Sequence, residues 1–72
     1  MMIPSRHLVQ RLRATYREGM RVRLIFMDDP QAPLTGTEGT VVGVDDMADI
    51  MVNWDNGSHL SVIYGLDEIE CI

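Results

Sequence analysis

Residues 36–65 read GTEGTVVGVDDMADIMVNWDNGSHLSVIYG, and the register of the hairpin inside them decides the fold. Ile50, Val52 and Trp54 alternate with Met51 and Asn53, while Leu60 and Val62 alternate with His59 and Ser61. A two-residue Asn56-Gly57 turn would set Val52 opposite Ser61 and Asn53 opposite Leu60, mixing polar and apolar side chains on both faces. A three-residue loop, Asp55-Asn56-Gly57, pairs Trp54 with Ser58, Val52 with Leu60 and Ile50 with Val62. One face is then apolar and the other carries Met51, Asn53, His59 and Ser61. A one-residue slip carries every side chain to the opposite face, so burial selects the second register. Glycine at position 57 agrees, because a type I turn closed by a left-handed residue favours glycine at its last place.

Working outward, Thr37 to Val44 reads as a strand, and Gly39 and Gly43 inside it point to sharp bending or a bulge. Before it, the two prolines of Asp28-Asp29-Pro30-Gln31-Ala32-Pro33-Leu34-Thr35-Gly36 exclude a central ladder and mark a loop. Arg21 to Met27 alternates as the first strand, with Val22, Leu24 and Phe26 expected inward. After the hairpin, Tyr64-Gly65-Leu66-Asp67 is a short turn and Glu68 to Ile72 a last strand. Ahead of the sheet, Ser5 is suited to cap a helix from Arg6 to about Arg17, with Leu8, Val9, Leu12 and Tyr16 in one apolar arc. Glu18-Gly19 ends it. The expected class is mainly β: a small SH3-like barrel of about five antiparallel strands over residues 19–72, with a basic amphipathic N-terminal α-helix in residues 1–18.

The chain has 72 residues, and a domain this small buries only about 60% of its unfolded surface. A partner chain is therefore a natural source of added stability, and a homo-oligomer is expected. One cysteine, Cys71, excludes an internal disulfide and a cysteine-rich metal site. No apolar run approaches the roughly 20 residues of a membrane span, and no signal-peptide core is present. The expected location is the cytoplasm, with no membrane association.

Charge is sharply divided. All six basic residues are arginines at or before Arg23, giving residues 1–23 a net +5, whereas residues 24–72 carry −10. Arg6, Arg13 and Arg17 form a stripe at helical spacing, with Arg21 near its end and Arg11 pointing elsewhere. Arginine's planar fork suits phosphate and carboxylate. The stripe is the candidate site for a small anionic ligand, with Tyr16, His59 and Tyr64 as candidate stacking or polar contacts. The competing bland reading pairs these arginines with the barrel's own acids. Trp54 falls on the inward face and reads as core.

The remaining constellations point away from chemistry. Neither Asp28-Asp29 nor Asp45-Asp46 matches the spaced ligands of a calcium loop, so no metal or cofactor is expected. Strand alternation separates Ser58 from His59, and no oxyanion-hole motif accompanies Asp55, so no catalysis is expected. An acidic barrel repels nucleic-acid phosphates, making nucleic acid the least favoured partner. An alternative reading has Asp28, Asp29, Asp45 and Asp46 dock on a basic host protein by mimicking nucleic acid. Six methionines, Met1, Met2, Met20, Met27, Met47 and Met51, suit adaptable contacts.

Several blocks together resemble the family called domain of unknown function 4314. They are Gly19-Met20-Arg21-Val22-Arg23-Leu24, Met27-Asp28-Asp29-Pro30 through Ala32-Pro33, Gly36-Thr37-Glu38-Gly39-Thr40-Val41, Val44-Asp45-Asp46, Val52-Asn53-Trp54-Asp55-Asn56-Gly57-Ser58, and Ile63 through Gly65 to Asp67. The resemblance spans about residues 8–72. It implies a small SH3-like protein of phages and mobile elements, chiefly of Gram-positive bacteria, and brings no activity or catalytic residues. In that setting, binding a nucleotide signal would serve counter-defence. Tyr64-Gly65 departs from the pattern, which more often has Pro-Gly there.

Overall fold

The computed structural model describes residues 3–72; Met1 and Met2 lie outside the described residues. The first element is helix α1 (Arg6–Thr15). Ser5 caps it as expected, its hydroxyl oxygen accepting from the Leu8 amide at 3.1 Å. Val9 and Leu12 are buried on the sheet, with Leu8 and Tyr16 packed at the margin. The helix ends short of the expected Arg17: Tyr16 leaves helical geometry as the C-cap, its amide donating to the Leu12 carbonyl.

Five strands follow: β1 (Arg21–Phe26), β2 (Glu38–Val44), β3 (Asp49–Trp54), β4 (Val62–Ile63) and β5 (Glu68–Cys71). They form one antiparallel sheet in the order β4-β3-β2-β1-β5. Laid flat, that order would hold β4 and β5 about 19 Å apart, four strand spacings. Yet they are joined by a tight turn in which the Asp67 amide donates to the Ile63 carbonyl at 2.9 Å. The sheet must curl until its outer strands approach, which makes a small barrel of the expected class. The Asp67 carboxylate fastens this closure, accepting from the Ile63 amide at 2.8 Å and the Asp28 amide at 3.0 Å.

The hairpin has the register read from the sequence. Ile50 lies opposite Val62, Trp54 N–H donates to the Ser58 carbonyl, and Gly57 takes φ 92° after a turn closed by its amide on the Trp54 carbonyl. Only two residues of β4 stay in the ladder. The Trp54 indole N–H takes the Leu60 carbonyl at 2.9 Å, so a side chain does there what strand pairing would otherwise do.

Two bulges bend the barrel. One falls between Val41 and Gly43 in β2, in the glycine-containing strand where bending was expected. The other, between Leu24 and Phe26 in β1, overturns the expected inward Phe26. The extra residue, Ile25, reverses the alternation, leaving Phe26 52% exposed while Met27 packs against the core. That core is Val9, Leu12, Val22, Leu24, Val41, Val44, Ala48, Ile50, Val52, Trp54 and Val62, so helix and sheet share one interior.

Candidate functional site

The outer face of β1 consumes two of the arginines. Arg21 forks onto Asp55, with Nη1–Oδ1 2.9 Å and Nη2–Oδ2 2.6 Å, and also donates to the Thr40 hydroxyl. Arg23 pairs with Glu70 at 2.9 Å, and Glu38 stands 3.5 Å from both guanidinia. Cross-strand register explains the arrangement: Arg21 opposes Thr40, Arg23 opposes both Glu38 and Glu70, and Thr40 opposes Asn53. Arg21 is thus held by the protein's own acids, as the bland reading of the charge pattern had it. His59 sits beyond this row, its Nδ1 2.8 Å from Asn53 Oδ1, and does not meet the helix arginines.

This network carries a pH signature. The hydrogen bond from Arg21, and then its charge, hold the Asp55 carboxyl below its usual range. A carboxyl with a lowered folded-state pKa adds stability above its unfolded pKa and loses it as pH falls through the folded value. Asp49 runs the other way. Burial first, then the charges of Asp45 and Asp67, raise it, so its contribution favours the folded state in acid and is lost as pH rises through its raised value. Asp55→Asn should therefore flatten the fall in stability below about pH 4, the ordinary carboxylate range. Urea midpoints across the acid range check this; an acid slope identical to wild type would contradict it.

The helix lies on the barrel with a recess along each flank. On one side an open groove of about 650 Å³ is lined by Ile3, Pro4, Arg6, Val9, Gln10, Arg13 and Asp46. Arg13 is oriented there by its Nε–H, which donates to the Val44 carbonyl at 3.0 Å, and its Nη2 meets Asp46 Oδ1 at 3.0 Å. The Asp46 side chain is 96% exposed, so the pair is weak in the way of solvated ion pairs. Arg6 has no ion pair among the described residues. Because the helix stops at Thr15, Arg17 falls outside the stripe, in a turn whose Arg17 carbonyl accepts from Met20 N–H.

On the other side, a recess of about 160 Å³ brings together Leu8, Arg11, Leu12, Thr15, Tyr16 and Tyr64. Burial of its ring, then neighbouring Cys71 and Tyr64, push the Tyr16 hydroxyl above its ordinary pKa. Of the expected ligand residues, Arg6 and Arg13 therefore share one flank and Tyr16 and Tyr64 the other. Arg17, Arg21 and His59 join neither.

The four aspartates of the alternative reading are divided by their structural tasks. The Asp45 carboxylate accepts from the amides of Met47 and Asp49 and shapes the turn that sets Ala48 at φ 64°. Asp29 accepts from the Gln31 amide, and Asp46 meets Arg13. Asp28 lies beside Asp67, and Asp67 and Asp45 act electrostatically on Asp49. Ser58, His59 and Asp55 point to different partners: the Ser58 hydroxyl accepts from the Leu60 amide, His59 meets Asn53 and Asp55 holds Arg21. Among the described residues, no group of three or more His, Cys, Asp or Glu is arranged to hold a metal ion.

A family model described as domain of unknown function (DUF4314) matches residues 5–72. The chain belongs to this family. No curated protein matches the sequence. Within this DUF4314 chain, Tyr64, the departure noted from the sequence, sits half-exposed on the rim of the second recess. Arg11 and Gln10 were not singled out for either recess. Leu8, Arg11, Leu12 and Thr15 recur at helical spacing, so their common flank was readable, but the turn that brings Tyr64 to it was not. Among the described residues, no helix is long and apolar enough to cross a membrane.

Proposed function

We propose that the chain is a non-catalytic binding protein that takes a small anionic, nucleotide-like ligand in the groove on the Arg6–Arg13 flank of its helix. Copies of the chain would meet around that ligand, since the groove is open on one side. The observation that carries this reading is the convergence of Arg6, Gln10 and Arg13 on one groove with apolar Ile3, Pro4 and Val9. Arg13 is pre-oriented by the Val44 carbonyl, so little side-chain freedom is lost on binding. A phosphate can replace the solvated Asp46 carboxylate, and both guanidinia can present two donors to its oxygens. In the phage setting that the family resemblance implies, such a protein would sequester a nucleotide signal of host defence.

Isothermal titration with inorganic pyrophosphate, paired with sedimentation to count subunits, tests the proposal. The double variant Arg6→Ala/Arg13→Ala should lose about 100-fold in affinity, the worth of one or two charge-assisted hydrogen bonds. Asp46→Asn should bind at least as tightly as wild type. Equal affinity in the double variant, or no binding by wild type, would overturn the reading.

A further inference from the structure

The second flank differs in chemistry from the first. Its recess is walled by two tyrosines from separate elements, Tyr16 at the helix C-cap and Tyr64 in the turn after β4, over the aliphatic Leu8 and Leu12. Tyr16 is half-buried and Tyr64 is 54% exposed, so one ring forms a fixed wall and the other a rim. Arg11 stands at the edge and forms no ion pair among the described residues, in contrast to Arg13, Arg21 and Arg23. The Thr15 hydroxyl donates to the Arg11 carbonyl at 2.9 Å, and a hydroxyl that donates keeps its oxygen lone pairs as acceptors. At about 160 Å³ the recess is well below the several hundred Å³ of a drug-sized pocket, and admits a single ring.

We infer that this recess is a separate binding site for one planar aromatic ring carrying an anionic group, with the ring against Tyr16 and Tyr64 and the anion on Arg11. Stacking on tyrosine is tolerant of ring identity because every base presents a π face. The unpaired guanidinium supplies the charge selectivity that the rings lack. The inference uses none of the residues of the pyrophosphate groove except the helix that carries both, so either site can fail without the other.

The experiment is a titration of the full chain with cytidine 5′-monophosphate, ribose 5-phosphate and cytidine, whose base is a single ring, followed by the ring signals of Tyr16 and Tyr64 in carbon–proton spectra. The monophosphate should shift both tyrosines saturably. Cytidine should bind the same tyrosines more weakly, and ribose 5-phosphate should leave them unmoved. Arg11→Gln and Tyr64→Leu, both at exposed positions, should each weaken the monophosphate about tenfold or more while keeping the wild-type melting temperature. Arg6→Ala/Arg13→Ala should retain the tyrosine response. Unmoved tyrosine signals, or an undiminished response in Arg11→Gln, would overturn the inference.

Discussion

Gly39→Ala is expected to destabilise the protein by about 2 kcal/mol, within the usual cost of overpacking a core. For a domain of this size that is roughly 8–16 °C in melting temperature. A Cβ at position 39 would lie 2.7 Å from Val52 Cγ1, 2.9 Å from Trp54 Cε3 and 3.0 Å from the Asn53 carbonyl oxygen. The valine methyl can turn aside, but the indole ring and the backbone oxygen cannot. Gly39 faces Trp54 across the ladder, so the missing side chain is the space into which the indole packs. Gly43, in the same strand, is the internal control. A Cβ there meets only Met51 Cε, at 3.6 Å, and Gly43→Ala should leave stability within about 0.5 kcal/mol of wild type. Thermal melts of the two variants decide the point, and equal melting temperatures would contradict it.

Trp54 is the other half of that contact, and its removal should have the larger effect. Trp54→Ala should cost about 3–5 kcal/mol, against a total stability of about 4–11 kcal/mol for a chain of this length. Toward the lower end of that range, much of the population would then be unfolded at 37 °C. Trp54→Phe keeps an aromatic ring but withdraws the N–H from the Leu60 carbonyl, a loss of about 1–3 kcal/mol when the acceptor is left unsatisfied. Because phenylalanine lacks the second ring, Gly39→Ala should cost less in the Trp54→Phe background than in wild type. That non-additivity is measurable in a double-mutant cycle by urea unfolding followed by circular dichroism. Additive costs would mean that the ring is not what occupies the space over Gly39.

The contrast between what was readable and what was not follows the range of the interaction. The Ile50–Val62 register was legible because alternation on both strands and Gly57 in the turn are local and mutually consistent. The cap at Ser5 and the apolar arc of Val9 and Leu12 were legible for the same reason. Phe26 was misplaced because Val22-Arg23-Leu24-Ile25-Phe26-Met27 offers apolar residues in both phases after Leu24, and only pairing with β5 shows which residue is extra. The fate of the arginines was illegible at the level of individual pairs. Arg21 and Asp55 lie 34 positions apart, and they meet only once three strands have taken their registers. Arg17 was lost from the stripe because Tyr16 leaves the helix, an event that no glycine or proline announces at that position.

On the proposed reading, folding divides the arginines into a set the barrel consumes and a set on the helix left for an anion. Nitrogen–proton spectra of the arginine Nε–H groups during a pyrophosphate titration test it most directly. Saturable shifts are expected at Arg6 and Arg13, with Arg21 and Arg23 unmoved, held by Asp55, Glu38 and Glu70. Shifts at Arg21 and Arg23 of the same size, or a titration that leaves Arg6 and Arg13 where they began, would contradict it.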